Sequence, residues 1–125
     1  MELLNAIKQR HSVRSYLDKP IDTDVRDELR KYIDKCNQEG NLHIQLIENE
    51  PQAFAKGLFH YGLFSNVKNY IALVGKEDST FDERCGYYGE KIVLKAQMLG
   101  LNTCWVGGTY KKIESVVDLK PGEKF

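Results

Sequence analysis

Gly86-Tyr-Tyr-Gly-Glu-Lys-Ile-Val-Leu-Lys-Ala-Gln-Met-Leu-Gly-Leu-Asn-Thr-Cys-Trp-Val-Gly-Gly108 is the stretch on which the reading of this chain turns. Its first part carries a helical signal. Tyr88, Ile92, Ala96 and Leu99 recur at helical spacing and share one face. Tyr87, Leu94 and Met98 form a second apolar line, and Glu90, Lys91, Lys95 and Gln97 fill the gaps between the two. A helix that is apolar on two sides needs two partners, so this one is expected deep in the fold or in a dimer interface. Gly100 should stop it, because glycine tolerates the left-handed conformation after a helix. Thr103 to Val106 is short, apolar and β-prone, which predicts a buried strand. Gly107 and Gly108 then end that strand where a backbone can approach a flat ligand closely. A plain buried helix, strand and turn would satisfy the same pattern, and the stretch alone favours that plainer reading.

Working outward, the 125 residues are 42% hydrophobic and 29% charged, which describes one globular domain with a modest core. Eighteen basic and eighteen acidic residues cancel, so nothing calls for nucleic acid or an anionic membrane. No apolar run reaches the ~20 residues that span a bilayer. Glu2, Asn5 and Lys8 interrupt the only apolar patch near the start, so no signal peptide is read there. Cys36, Cys85 and Cys104 lie far apart, make no metal-spaced pair and leave an odd thiol. That usage fits a reduced, cytoplasmic protein.

In chain order, Glu2 to Gln9 reads as a short helix with Leu3, Leu4 and Ile7 as its apolar side. Arg10-His11-Ser12-Val13-Arg14-Ser15-Tyr16 follows and switches to an extended pattern. Two arginines, a histidine and two serines in six residues supply donors suited to a phosphate or another polyoxygen anion. Residue chemistry alone leaves two readings, a solvated polar connection and an anion site, and favours the first. Pro20 breaks the chain, and Asp22 is a candidate N-cap for a helix with Val25, Leu29, Tyr32 and Cys36 on its inner face. Cys36 there is read as a small core residue. Gly40 is expected to close this helix. His43 to Ile47 reads as a half-buried strand, with Ile44 inward and His43 as an edge polar residue. Ala53 to Phe64 is expected to be a short helix and an aromatic loop. Tyr70 to Val74 is apolar and of strand length. Lys76 to Arg84 reads as an exposed loop into the main helix, with Asp82 as a possible cap. Tyr110 to Leu119 is expected to be a last amphipathic helix, ended at Lys120-Pro121-Gly122.

Taken together, two of these stretches resemble a known family. Arg10-His11-Ser12-Val13-Arg14-Ser15-Tyr16 followed by Lys19-Pro20-Ile21 is similar to the N-terminal signature of the nitroreductase superfamily. Leu99-Gly100-Leu101-Asn102-Thr103-Cys104-Trp105 resembles its second signature, and Gly86-Tyr-Tyr-Gly-Glu-Lys with Trp105-Val-Gly-Gly-Thr-Tyr looks most like its TM nitroreductase branch. The likeness runs over nearly the whole chain, in the right order. It implies an α+β, nitroreductase-like fold with a mixed central sheet flanked by helices. It implies FMN as cofactor, NAD(P)H as electron donor, and nitroaromatics, quinones or related small molecules as acceptors. Arg10, His11, Ser12 and Arg14 would hold the FMN phosphate and ribityl chain, and Gly107 and Gly108 would lie beside the flavin ring. No side chain need act as nucleophile, since the flavin carries the hydride. Members of the family are longer and dimeric. Residues 1–125 are therefore expected to be one nitroreductase-like domain, C-terminally short, that forms a homodimer or pairs with a missing half. The alternative is a non-catalytic half-domain or a flavin-binding module.

Overall fold

Two long helices, packed on one another, organise the described residues. The computed structural model describes residues 2–54, 64–107 and 116–125. In chain order the elements are α1 (Leu3–Gln9), α2 (Thr23–Gly40), β1 (Gln45–Ile47), β2 (Tyr70–Ala72), β3 (Gly75–Lys76), α3 (Phe81–Met98) and β4 (Glu123–Lys124). The fold is mixed α+β and nitroreductase-like.

α2 forms where its sequence pattern puts it. Asp22 is the residue before its first turn, although its side chain makes no capping bond. Leu29, Ile33 and Cys36 are buried, and Val25 and Tyr32 are half-buried beside them. From α3 they meet Phe81, Cys85, Ile92 and Ala96 in one cluster, joined by Leu42, Ile44 and Leu46. Full burial of one such aliphatic side chain is worth about 1.5–3 kcal/mol. The helices approach closely because Gly40 has no side chain: a Cβ there would stand 2.5 Å from the Tyr88 ring. Gly40 is thus the last helical residue, and Asn41 (φ 51°) takes the left-handed position expected of the glycine. Asparagine tolerates that conformation better than most residues.

α3 ends as expected and begins earlier than expected. Gly100 has φ 86°. Its N–H bonds the Gln97 carbonyl, and the Leu101 N–H bonds the Ala96 carbonyl. These two bonds are the Schellman pattern that satisfies a helix C-terminus. At the other end the helix starts at Phe81, so much of the expected loop Lys76 to Arg84 is helical. Asp82 lies inside the first turn and does not cap it. Asp78 instead receives the Thr80 N–H at 2.9 Å and two bonds from Arg84 Nη2 at 3.0 Å. The polar look of this stretch hid one apolar anchor, Phe81, which is buried at the end of the core.

The strands are short. β1 and β2 pair antiparallel, Leu46 facing Ile71, and β3 and β4 pair antiparallel, Gly75 facing Lys124. Two isolated parallel bridges, Ser12 with Thr103 and Ser15 with Ser65, add the parallel component. Thr103 to Val106 corrects a sequence-based expectation: it forms no strand, and only Thr103 is bridged. Propensity does not make a ladder without neighbours, and here Ser12 is the one bridged neighbour.

His43 is also more engaged than an edge residue. Its Nδ1 lies 2.9 Å from Glu123 and its Nε2 lies 3.7 Å from Asp118. Gln45 pairs its side-chain amide with both backbone groups of Asp118. Together they fasten the C-terminal segment to β1. Below them Ile47, Ala72, Val74 and Val117 make a second small core. α1 departs from its pattern most. Ala6 is its buried residue, whereas Leu3, Leu4 and Ile7 are more than half exposed. The expected elements at Ala53 to Phe64 and Tyr110 to Leu119 fall largely outside the described residues. Val116 and Val117, at the end of the second, make a turn and a bend.

Candidate functional site

The segment from Arg10 to Tyr16 leaves α1 and runs extended between two neighbours. Arg10 ends the helix with φ −64° and ψ 131°, its N–H still bonded to Ala6. The Val13 N–H then donates to the Thr103 carbonyl at 3.0 Å. On the other side the Ser65 N–H donates to the Arg14 carbonyl at 2.9 Å, and the Tyr16 N–H to the Ser65 carbonyl at 3.0 Å. Bonds that alternate from side to side are the mark of an extended chain. The backbone of this segment is therefore held on both edges while its polar side chains remain available.

Those side chains are mostly uncommitted. Arg10 is half-buried and makes one long bond, Nη1 to Thr103 Oγ1 at 3.4 Å. His11 is exposed, and its Nδ1 lies 3.0 Å from the Gln9 carbonyl, which calls for a proton on that nitrogen. Ser12 and Arg14 are exposed. The acid nearest in sequence, Asp18, is taken by Lys68 at 2.6 Å. Arg14 has no ion pair among the described residues.

Tyr16 closes the segment. Its hydroxyl donates to the Val13 carbonyl three residues back. Burial pushes its phenol up to about 12, with Cys104 adding to the rise and Arg14 opposing it. The group is thus a fixed donor over the physiological range. Cys36 and Cys85 are raised chiefly by burial as well, which suits inert core thiols.

Beyond Tyr16 lies a cavity of about 760 Å³. Tyr16, Ile21, Tyr70 to Leu73, Asn102 to Val106 and, from α3, Gly89, Val93 and Ala96 are among the residues that line it. Trp105 is placed by α3. Its indole lies over Gly89, where a Cβ would stand 2.7 Å from Cη2, and its Nε1 donates to Glu90 at 2.8 Å. No residue from Arg10 to Arg14 lines this cavity. Gly107 is exposed, with no described residue within 4 Å of where a Cβ would stand, and Gly108 is outside the described residues. The fold thus brings Arg10, Ser12 and Thr103 together. Thr103 and Tyr16 are participants that residue chemistry alone did not single out. The signal for Thr103 lay in the pairing of two distant segments, which no single window of sequence carries.

The chain is thus an α+β protein with an arginine- and serine-bearing segment pinned beside a helix–loop unit. The family model described as Putative TM nitroreductase matches residues 2–125, and the chain belongs to that family. Its class is that of nitroreductase-like oxidoreductases, which are generally flavin-dependent. Comparison with curated proteins and with solved structures gave no match. No helix among the described residues is long and apolar enough to cross a membrane.

The donor set suits the phosphate end of a flavin nucleotide. Two guanidinium groups and a hydroxyl stand on one pinned segment, and no carboxylate among the described residues neutralises Arg14. At Gly107 no described residue lies within 4 Å of the Cβ position.

Proposed function

We propose that this chain is an FMN-dependent NAD(P)H oxidoreductase of the nitroreductase type, acting on nitroaromatic, quinone or similar small acceptors. The observation that carries this reading is an Arg14 guanidinium without an ion pair among the described residues, on the same pinned segment as Arg10 and Ser12, while Asp18 pairs with Lys68. Arg14 and Arg10 hold the phosphate, since a planar guanidinium can give it two parallel bonds. The Ser12 hydroxyl adds a neutral donor, and the second ring nitrogen of His11 remains available toward the ribityl chain. Gly107 and Gly108 lie along the ring and offer backbone donors to it. Bound FMN supplies the hydride chemistry, and the protein supplies binding and orientation. Tyr16 keeps its proton and holds the segment's course. The working unit is a homodimer, or this chain paired with a further half, which supplies the face that the described residues leave open at Gly107.

That same open face favours one second reading, a flavin-binding half-domain that turns nothing over. Flavin content and reactivity separate the two. An enzyme of this type purifies yellow, keeps its flavin absorbance through gel filtration, and bleaches when NAD(P)H is added without oxygen. A yellow protein that NAD(P)H leaves unbleached supports the second reading, and a chain that takes up no flavin contradicts both.

A further inference from the structure

Trp105 is held firmly for a residue that is left so uncovered. A Cβ on Gly89 would stand 2.7 Å from its Cη2 and 3.4 Å from its Cζ2, so the indole rests on α3 where that helix has no side chain. Its Nε1–H donates to Glu90 Oε2 at 2.8 Å. Gly89 and Glu90 are consecutive residues of α3, and together they set where the indole sits and how it is turned. Even so, 43% of Trp105 is exposed, and the residue lines the 760 Å³ cavity. Small-molecule sites run from roughly 300 to 1,000 Å³. An aromatic ring fixed at two points and still uncovered is a ready stacking face.

The partner of the indole matters as much as its position. An exposed indole N–H can bond to water, but this one is given to a carboxylate. Glu90 makes no ion pair with a lysine or arginine among the described residues. Its charge therefore acts on the indole. A charge-assisted bond of this kind polarises the donor, and the face of the ring becomes more negative. Aromatic faces attract through their charge distribution, so such a face prefers a ring that is itself electron-poor.

We propose that Trp105 is the stacking face for the planar acceptor, and that Glu90 is the positioning residue that fixes its plane and tunes it toward electron-poor rings. The proposal rests on the oxidoreductase reading above and names a source of selectivity within it. Electron-poor rings accept hydride readily, so a face that prefers them selects by reactivity as well as by shape. Trp105 stands two residues before Gly107, which that reading sets along the flavin ring. The indole would add affinity in the ground state and take no part in hydride transfer.

The test uses the flavin-free chain and needs no turnover. Trp105 is the single tryptophan, so its indole N–H gives one peak in a proton–nitrogen correlation spectrum. Para-nitrobenzyl alcohol and para-methoxybenzyl alcohol, both neutral and of similar size, are titrated against that peak. Both should move it saturably, the nitro compound with roughly three- to tenfold higher affinity, the range that aromatic pairing adds beyond buried area. Glu90→Gln keeps an acceptor without the charge and should bring the two affinities together, whereas a merely structural role for Glu90 would leave their ratio alone. In the FMN-loaded protein, Trp105→Leu should raise KM for the nitro compound by a similar factor with kcat nearly unchanged, and Trp105→Phe should recover part of the loss. Three results overturn the proposal: an indole peak that neither alcohol moves, equal affinity for the two, or an unchanged preference in Glu90→Gln. FMN that moves the peak and excludes both alcohols would overturn it too, because the face then belongs to the flavin. A chain that takes up no FMN contradicts the oxidoreductase reading but leaves the titration readable, so the two failures are told apart.

Discussion

The α2–α3 interface and the Arg10–Tyr16 segment are built by opposite rules. Across the interface, Leu29, Cys36 and Ile92 are at most 2% exposed, and Gly40 touches the Tyr88 ring closely enough to exclude a methyl group. Even its rim is tied, with Arg84 donating to the carbonyls of Gly40 and Asn41 at 2.9 and 3.0 Å. Along the segment the backbone is pinned by Thr103 and Ser65, but Ser12 and Arg14 remain exposed and Arg10 makes one 3.4 Å bond. Stability and chemistry therefore sit in different places. The helical pair tolerates little change, whereas the segment can lose a side chain without loss of the fold.

The largest effect should come from the closed side. Ile92→Ala removes a fully buried side chain and should cost about 2–5 kcal/mol in a urea titration, with the two-state slope unchanged. Gly40→Ala should cost about 1–3 kcal/mol, because the added methyl meets two atoms of a packed ring. Gly89→Ala sharpens the contrast. Its methyl meets the far end of the Trp105 indole, which can swing away, and alanine gains about 1 kcal/mol over glycine in a helix. Stability should therefore hold within about 1 kcal/mol while the Trp105 emission shifts; a loss as large as that of Gly40→Ala would mean that Trp105 is locked in place.

The smallest expected effect concerns acid. Burial by itself would raise the Glu123 carboxyl, but the Lys120 N–H and His43 outweigh it and hold the group below the usual carboxylate range. A carboxylate depressed in the folded state stabilises above its unfolded value of about 4.3 and loses that contribution as pH falls through the folded value. Glu123→Gln should therefore flatten part of the acid limb of the stability profile and leave its neutral limb in shape. An unchanged acid limb would show that the His43–Glu123 contact contributes nothing.

The closed side is also the legible side. The inner face of α2 and the stop at Gly100 follow from spacing and backbone conformation, which are local properties. Legibility fails where partners decide. Leu3, Leu4 and Ile7 have the pattern of a core face and are exposed, because pattern marks what can be buried and not what covers it. Thr103 to Val106 has strand propensity and only one bridged neighbour. Phe81 extends α3 backward through residues whose charge reads as loop. In the candidate site, the donor types of Arg10, Ser12 and Arg14 were visible as chemistry. That Lys68 takes Asp18, while Arg14 has no ion pair among the described residues, depends on residues 50 positions apart.

The account rests on a phosphate held by Arg10, Ser12 and Arg14, and one titration tests it most directly. Binding of FMN and of riboflavin, which lacks the phosphate, is measured for the native chain and for Arg14→Ala. A charge-assisted bond is worth roughly 1.5–3 kcal/mol, so the substitution should weaken FMN by roughly tenfold to a hundredfold and leave riboflavin unchanged. Arg14→Lys should recover part of the loss, since it restores the charge without the planar fork. Equal affinity of the native chain for FMN and riboflavin, or undiminished FMN binding by Arg14→Ala, would contradict the account.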